Sequence, residues 1–182
     1  MPKLTGLIFR NGGERKTAHP DLISYDPAAE HPFAFVDTSL GTIRITENEA
    51  GITSLGFASP ADVRAPSAAR LYLSDAAAQI KEYFAGKRRT FDVPLSVTGS
   101  DFQKRVWDAL RNIPYGETRS YQQIAAAAGN AKAARAVGMA NNRNPILIMI
   151  PCHRVVGKNG ALVGYAYGIE RKRYLLELET AR

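Results

Sequence analysis

The stretch ILIMIPCHRVV, residues 146–156, is the feature around which the rest of the chain can be placed. Five consecutive apolar residues end at Pro151, and Cys152, the single cysteine of the chain, follows with His153 and Arg154. The apolar run predicts a buried strand-like segment, and regular pairing is expected to stop at the proline, which cannot donate a ladder hydrogen bond. Because two groups that can carry positive charge adjoin the thiol, its pKa is expected to lie below the usual value of about 8.5.

Three observations limit what this cysteine can do. A lone cysteine is commonly a small buried hydrophobe, and consecutive side chains diverge, so activation by His153 requires a bridging water or a special turn. The other histidines, His19 and His31, lie in a featureless N-terminal segment, which argues against a protease-like dyad. One cysteine and three scattered histidines show no ligand spacing, so no metal site is predicted.

Composition favours a protein of the cell interior. The 182 residues, 45% of them hydrophobic, suit one ordinary domain or two small ones. A single cysteine excludes an intramolecular disulfide and fits a reducing compartment. The first residues lack the layout of a signal peptide, and no apolar run approaches the roughly 20 residues that cross a bilayer. We therefore expect a cytoplasmic protein without membrane association.

The positive charge is confined to one half of the chain. Residues 1–97 carry 11 Lys/Arg and 11 Asp/Glu, whereas residues 98–182 carry 13 Lys/Arg and 6 Asp/Glu. A basic half beside a neutral half favours a polyanionic partner, with nucleic acid first. A basic surface that serves only solubility is the alternative, and charge alone does not separate the two.

Residues 1–97 are predicted to form a small α/β domain, with an antiparallel sheet, one helix and a linker to the second half. Strands are expected at 33–36, 42–45 and 51–57. An amphipathic pattern predicts the helix over residues 67–84. Residues 1–30 show no clear periodicity and are predicted to be irregular.

Residues 98–182 are predicted to form a mainly helical, winged-helix-like domain. An apolar stripe from Phe102 to Ile113 marks a first helix, and the capping box Ser120–Gln123 opens a second. A third helix is expected over residues 131–140, and a last one over 169–179. Two short helices joined by a glycine-containing turn are typical of a helix-turn-helix, although many helical hairpins bind nothing.

The expected helix over residues 131–140 is built from small residues, with Lys132 and Arg135 as its charges. The small residues are Ala133, Ala134, Ala136, Gly138 and Ala140. They allow the helix backbone to approach another surface closely, while one long arginine projects from it. Proteins that distort duplex DNA often insert a side chain in this way. Tight helix packing with Arg135 in a salt bridge is the alternative, which composition alone slightly favours.

Several motifs in this half resemble, in order, the O6-alkylguanine-DNA alkyltransferases, also called methylated-DNA–protein-cysteine methyltransferases. They are IPYGETRSY at 113–121, AARAVG at 133–138, NP at 144–145, PCHRV at 151–155, GY at 164–165 and ERKR at 170–173. Before residue 98, only YFAG at 83–86 and FDVPL at 91–95 are similar. Several ordered motifs are far more specific than one tetrapeptide.

The resemblance implies a suicide repair protein that acts on double-stranded DNA containing O6-alkylguanine. The protein would bind as a monomer through the minor groove and flip the damaged base into a pocket, which costs a few kcal/mol and less for a mispaired base. The alkyl group would pass to Cys152 in one irreversible turnover, because the thioether product is stable. No cofactor is implied.

The resemblance also assigns the chemistry to five residues. Cys152 would attack the alkyl carbon, with guanine as the leaving group. His153, through a water, and Glu179 would form the relay that favours the thiolate. Asn144 would hold the hinge between the DNA-binding helix and the active-site strand. Tyr121 would crowd the 3′ phosphate and help to donate a proton to the base.

The remaining implied positions bind DNA or surround the alkyl group. Arg135 would fill the gap in the base stack. The other DNA-facing positions are Tyr121, Lys132, Ala134 and Gly138. The implied pocket positions are Tyr165, Tyr167, Leu147, Lys172 and Val155.

Two positions depart from the family's usual pattern, and several interpretations therefore stay open. Leu147 stands where a proline is common, and Tyr167 stands where a glycine is common. A tyrosine adds bulk and removes glycine's conformational freedom, so we expect a reshaped pocket that treats benzyl differently from methyl. The alternatives are an alkyltransferase with an altered pocket, of natural or engineered origin, a protein that recognises the lesion without repairing it, and a thiol hydrolase. Cys152 argues against recognition alone, because the alkyltransferase-like proteins lack it.

Overall fold

The computed structural model describes residues 8–9, 32–59 and 71–181. Contacts between residues divide the chain into two compact units, 1–97 and 98–182. Within the described residues, no helix combines the length and the apolar character needed to cross a membrane.

The first unit is an antiparallel sheet with one helix packed on it. The strands are β1 (Ile8–Phe9), β2 (Phe33–Thr38), β3 (Gly41–Asn48) and β4 (Gly51–Phe57), hydrogen-bonded in that order. Helix α1 (Leu71–Phe84) buries Ala76, Ala77, Ile80 and Tyr83 completely. Buried Glu47 accepts hydrogen bonds from the backbone N–H groups of Tyr72 and Leu73, which satisfies donors that a helix N-terminus leaves free.

The expected sheet and helix of this unit are confirmed, with one addition. The three predicted strands are present, and residues 71–84 of the predicted helix are helical, whereas residues 67–70 lie outside the described residues. The prediction that residues 1–30 are irregular is wrong at β1, which pairs with Ala34 and Phe35 of β2. A strand of two residues is too short to show the alternating pattern by which strands are recognised.

The second unit is mainly helical. Its helices are α2 (Asp101–Arg111), α3 (Tyr121–Ala127), α4 (Ala134–Asn142) and α5 (Ile169–Thr180). Two short strands, β5 (Arg119–Ser120) and β6 (Val155–Val156), pair in parallel. The core residues include Val106, Trp107, Leu110, Val137, Ile146 and Leu175.

Sequence signals at the helix ends have direct counterparts in this unit. Ser100 begins α2 and Ser120 begins α3, each in a reciprocal capping box with the glutamine three residues later. Trp107 is buried and its indole Nε1 donates a 3.0 Å hydrogen bond to the carbonyl of Ala140, which joins α2 to α4. The predicted start of α4 at residue 131 is wrong by one turn, because residues 131–133 form the turn that precedes Ala134.

The apolar run Ile146–Ile150 is not the strand-like segment that its composition predicts. It is a buried, tightly turned connection, in which the N–H of Ile150 bonds to the carbonyl of Ile146 and Ile148 has a φ of 69°. A left-handed conformation is unfavourable for a β-branched residue and persists where the surroundings enforce it. Periodicity could not reveal this turn, because a short run that is buried on all sides looks the same in any conformation.

Candidate active site

Cys152 lies at a cavity of about 340 Å³ in the second unit. It begins a 3-10 turn (Cys152–Arg154), and only 4% of the residue is exposed. The cavity is also lined by Tyr121, Arg135, Gly138, Met139, Asn141, Asn142, Val163, Gly164, Tyr165 and Ala166. A concave site of this size with a nucleophile in its wall can hold a small organic group.

Asn144 connects the end of α4 to the thiol. Its amide Nδ2 donates to the carbonyl of Ile150 at 2.7 Å and to Cys152 Sγ at 3.1 Å, while its Oδ1 accepts from the N–H of Ile146 at 3.0 Å. The buried amide therefore fixes both ends of the turned run and the sulfur itself. A donor on the sulfur stabilises the thiolate more than the thiol.

The expected depression of the thiol pKa is wrong for the protein without DNA. Burial raises the pKa of Cys152 to about 11, and the Asn144 hydrogen bond and the charge of Lys172 oppose that rise only in part. The two residues that follow Cys152 in sequence do not lower its pKa by their charge. His153 and Arg154 both bind Glu179 instead. The resting nucleophile is therefore the neutral thiol, and it needs a proton acceptor in order to react.

Glu179 on α5 is the centre of a buried polar network. Arg154 donates to both of its carboxylate oxygens, at 2.8 and 2.9 Å, and the N–H of Gly116 donates to Oε2 at 3.1 Å. The Arg154 guanidinium also donates to the carbonyl of Ile113 at 2.7 Å. Although burial alone would raise it, the hydrogen bonds from His153 and Arg154 hold the pKa of Glu179 far below its usual range.

This network sets the tautomer of His153. Its Nε2 lies 2.8 Å from Glu179 Oε1, and an ionised carboxylate can only accept, so Nε2 carries the proton. Burial lowers the pKa of the fully buried imidazole below 6.5, which leaves it neutral. Its Nδ1 is then an acceptor, and it has no hydrogen-bond partner among the described residues. His153 is thus prepared to take up a proton.

Tyr121 is held against the cavity by the small parallel sheet. Pairing of Ser120 with Val156 places the start of α3 beside the strand that follows Cys152. The Tyr121 hydroxyl donates to the carbonyl of Val163 at 3.0 Å. Burial raises the pKa of the phenol, and the proximity of Cys152 raises it further, so the hydroxyl stays protonated and able to donate.

Lys172 lies beneath the cavity wall and supports the loop that forms it. The residue is fully buried, and its Nζ donates to the carbonyls of Val155, Val163 and Gly164 at 2.5, 2.9 and 3.2 Å. All three ammonium donors are used. Burial lowers the pKa of Lys172 to about 8, despite the opposing effect of Cys152.

Removal of this amine should loosen the loop. Lys172→Met leaves three carbonyls without their charged donor, and we expect a loss of roughly 2–3 kcal/mol in the free energy of unfolding. Urea unfolding would measure it, with Lys158→Met as the control, because Lys158 is exposed. Equal stability of the two variants would contradict the supporting role of Lys172.

The DNA-facing positions proposed for α4 are partly assembled at the cavity. Arg135 is exposed and lines it, and none of the described carboxylates forms an ion pair with it. Gly138 also lines the cavity, and a Cβ there would meet only the Tyr121 ring, at 3.9 Å. Lys132 is exposed and Ala134 is half-buried at the first position of α4, and neither reaches the cavity wall.

The proposed pocket positions divide into two groups. Tyr165 lines the cavity, and its buried hydroxyl has no hydrogen-bond partner among the described residues. Tyr167 does not line the cavity, but its ring centroid lies 6.4 Å from that of Tyr165. Leu147 and Val155 are core residues, at 2% and 0% exposure, and do not reach the wall. The structure therefore gives Leu147 no direct contact with an alkyl group.

Several residues of the cavity wall were not among the predicted site residues, namely Met139, Asn141, Asn142, Val163, Gly164 and Ala166. The sequence contained a signal for two of them, Met139 and Asn142. Arg135, Gly138, Met139 and Asn142 have helical spacing, so the choice of Arg135 as DNA-facing implied that Met139 and Asn142 share its face. No comparable pattern marks the loop residues. Within the described residues, no cluster of three His, Cys, Asp or Glu side chains could hold a metal ion.

Comparison with protein-family models gives two matches that together cover most of the chain. The model described as 6-O-methylguanine DNA methyltransferase, DNA binding domain, matches residues 101–181. The model described as 6-O-methylguanine DNA methyltransferase, ribonuclease-like domain, matches residues 33–97.

Individual relatives agree with the family models. The methylated-DNA–protein-cysteine methyltransferase of Methanosarcina acetivorans is 46% identical over 151 residues, which cover 81% of this chain and 97% of the relative. The protein of that name from Mycobacterium tuberculosis is 60% identical over 109 residues, 60% of this chain and 66% of the relative. A crystal structure of Mycobacterium tuberculosis OGT in complex with DNA superimposes with a TM-score of 0.71 at 45% identity, over 80% of this chain and 91% of that one.

Proposed function

The chain belongs to the 6-O-methylguanine DNA methyltransferase family, and from this premise we propose that Cys152 accepts the alkyl group directly from O6-alkylguanine in double-stranded DNA. The chain is thus a methylated-DNA–protein-cysteine methyltransferase, which repairs DNA by alkyl transfer. The observation that carries the assignment of Cys152 is its position in the cavity wall, bonded to Asn144 and followed by the His153–Glu179 pair.

The transfer is a displacement at the alkyl carbon. The thiol proton of Cys152 passes through a water to Nδ1 of His153, and the imidazolium so formed is stabilised by ionised Glu179. The sulfur then forms a bond to the alkyl carbon as the bond from that carbon to O6 breaks. Guanine leaves as its anion and takes up a proton from Tyr121, and the phenol regains a proton from water as His153 releases the one it accepted, so that overall one proton moves from the thiol to guanine. The products are a stable thioether and unmodified guanine, so each molecule reacts once and needs no cofactor.

DNA is engaged through α3 and α4. Arg135 projects from α4 at the edge of the cavity with no carboxylate partner among the described residues, and the half of the chain that contains it has the whole excess of positive charge. We place α4 in the minor groove with Arg135 in the space left by the flipped base. The similar Mycobacterium tuberculosis OGT has been crystallised in complex with DNA, which supports DNA as the partner. The protein acts as a monomer in the cytoplasm, the compartment in which a reduced thiol persists.

Stoichiometry tests this function. A duplex with a single O6-methylguanine is mixed with increasing protein, and the digested DNA is analysed for O6-methylguanine and guanine. Loss of the lesion should match the protein added, mole for mole, with guanine formed in equal amount. Repeated turnover, or tight lesion binding without any conversion, would contradict the proposal.

Proton transfer to His153 predicts that the rate of alkyl transfer depends only weakly on pH near neutrality. Neutral His153 removes the thiol proton within the site, so the single-turnover rate should change little between about pH 6.5 and 8. The rate should fall only at lower pH, where the imidazole becomes charged. In His153→Gln the thiolate must form without that base, and because the thiol pKa is about 11 the rate should rise about tenfold per pH unit. A parent profile that rises as steeply as the variant's would contradict the role of His153.

A further inference from the structure

Two exposed hydrophobic side chains meet at the mouth of the cavity. Among the described residues, the large hydrophobic side chains that are exposed are Met139, at 57%, and Val163, at 44%. They belong to different elements, α4 and the loop after β6, yet both line the cavity that contains Cys152. A single exposed hydrophobe needs no explanation, whereas exposed hydrophobes gathered at one site indicate a contact surface.

Met139 lies on a helix face that carries positive charge at both ends. Arg135, Met139 and Asn142 are exposed on α4 at helical spacing, and exposed Arg143 follows the helix on the same side. None of the described carboxylates forms an ion pair with either arginine. The two arginines are about 12 Å apart along the helix axis. This face therefore offers cations to separate phosphates, with an apolar group between them.

The minor groove of a duplex that has lost a base from its stack fits this pattern. Phosphates border the groove, and proteins that bind there frequently place an apolar side chain, methionine among them, against a base step that is partly unstacked. When a base is flipped out, the faces of its neighbours in the stack are uncovered. The flexible and polarisable side chain of methionine adapts well to an irregular apolar surface of this kind.

We propose that Met139 is an apolar wedge that contacts the duplex beside the vacated base position, and not the flipped base itself. The inference rests on the proposed repair function and adds to it a DNA contact whose strength does not depend on charge. Arg135, one turn earlier on α4, occupies the vacated space. Met139 packs against the neighbouring base step and keeps it open. The wedge contributes to DNA binding and takes no part in the chemistry at Cys152.

The salt dependence of DNA binding tests the wedge. A duplex with one O6-methylguanine is bound to Cys152→Ser protein, so that no transfer occurs. Met139→Gln keeps the length and the helix propensity of the side chain but replaces its thioether by an amide. It should weaken binding about fivefold to tenfold. The slope of log affinity against log salt should not change, because no phosphate contact is lost.

Two further variants make this result specific. Met139→Leu keeps an apolar side chain and should retain the affinity within about twofold. Arg143→Gln removes a charge from the same face and should make the salt slope shallower by about one. Parent-like binding by Met139→Gln, or a slope that changes as it does in Arg143→Gln, would overturn the wedge. An unchanged slope in Arg143→Gln would overturn the placement of this face on DNA.

Transfer from two substrates separates the wedge from a role inside the cavity and from the function on which it rests. With Cys152 intact and DNA below saturation, Met139→Gln should slow transfer from the O6-methylguanine duplex. It should slow transfer from the free base O6-methylguanine much less, because a free base has no neighbouring base step. Equal losses would show that Met139 acts on the flipped base and would overturn the inference. If the parent protein accepted no methyl group from either substrate, the proposed function itself would fail.

Discussion

Glu179→Gln is expected to lower the free energy of unfolding of the second unit by about 3–5 kcal/mol, the range measured when one partner of a buried ion pair is removed. The glutamine has the same shape, but it carries no charge and presents an NH₂ group where a carboxylate oxygen accepted. The Arg154 guanidinium, at 6% side-chain exposure, then loses its anionic partner and keeps only neutral acceptors, the remaining amide oxygen and the carbonyl of Ile113. His153 also loses the anion that stabilises its charged form.

Chemical unfolding measures this loss, and Glu177→Gln is the matched control. Glu177 lies on the same helix, two residues away, and is exposed, so the same charge change should alter stability by less than about 0.5 kcal/mol. Similar stabilities for the two variants would show that the network around Glu179 is not a determinant of the fold. The single-turnover rate of Glu179→Gln should also fall, because proton uptake by His153 becomes unfavourable.

The same substitution predicts how stability responds to acid. The pKa of Glu179 is lower in the folded protein than in the unfolded chain, so its stabilising contribution is complete above its unfolded pKa of about 4.3. The contribution is lost as the pH falls below that value, because the unfolded state binds the proton first. The stability difference between the parent and Glu179→Gln should therefore shrink on acidification. A difference that stays constant down to about pH 3 would contradict this explanation.

The second large effect concerns the nucleophile. Cys152→Ser is expected to slow alkyl transfer by at least about 10⁴-fold, because a hydroxyl loses its proton far less readily than a thiol and is a weaker nucleophile. The Asn144 amide can still donate to the serine oxygen, so the local structure should persist. Binding of the lesion-containing duplex should therefore be retained. A fluorescence binding assay beside the transfer assay would separate the two, and transfer at near-parent rate would contradict the assignment.

Local signals predicted the helices of the second unit well, because the information lies within a few residues. Ser100 and Ser120 with their partner glutamines mark helix starts directly. The conformation of Ile146–Ile150 depends instead on Asn144, whose amide bridges the two ends of the run and the thiol. These hydrogen bonds depend on the tertiary structure, and the composition of an apolar run does not predict them.

The prediction of a lowered thiol pKa was wrong for a related reason. His153 and Arg154 adjoin Cys152 in sequence, but Arg154 and Nε2 of His153 bind Glu179, 25 residues or more further along the chain. Burial then dominates the thiol pKa. The resemblance named Glu179 as part of the relay, but composition and spacing could not have located it. The charges that are adjacent to Cys152 in sequence therefore did not predict its pKa correctly.

The cavity wall was predicted in part. Tyr121, Arg135, Gly138 and Tyr165 were anticipated and line it, whereas Leu147, Val155 and Lys172 are buried away from it. Tyr167 is not part of the cavity wall, but its ring lies 6.4 Å from that of Tyr165. Tyr167 can therefore affect bulky alkyl groups through its contact with the Tyr165 ring, which lines the cavity. The ratio of methyl to benzyl transfer should change with Tyr167→Gly, and an unchanged ratio would exclude a role of this residue in alkyl preference.

The most direct test of the central claim is the mass of the intact protein after reaction with a duplex that carries one O6-methylguanine, followed by mass analysis of its peptides. We expect that the protein gains one methyl group, that the gain saturates at one per molecule, and that the modified residue is Cys152. Cys152→Ser should gain none. An unmodified parent protein, or a methyl group on any other residue, would contradict the assignment of Cys152 as the alkyl acceptor.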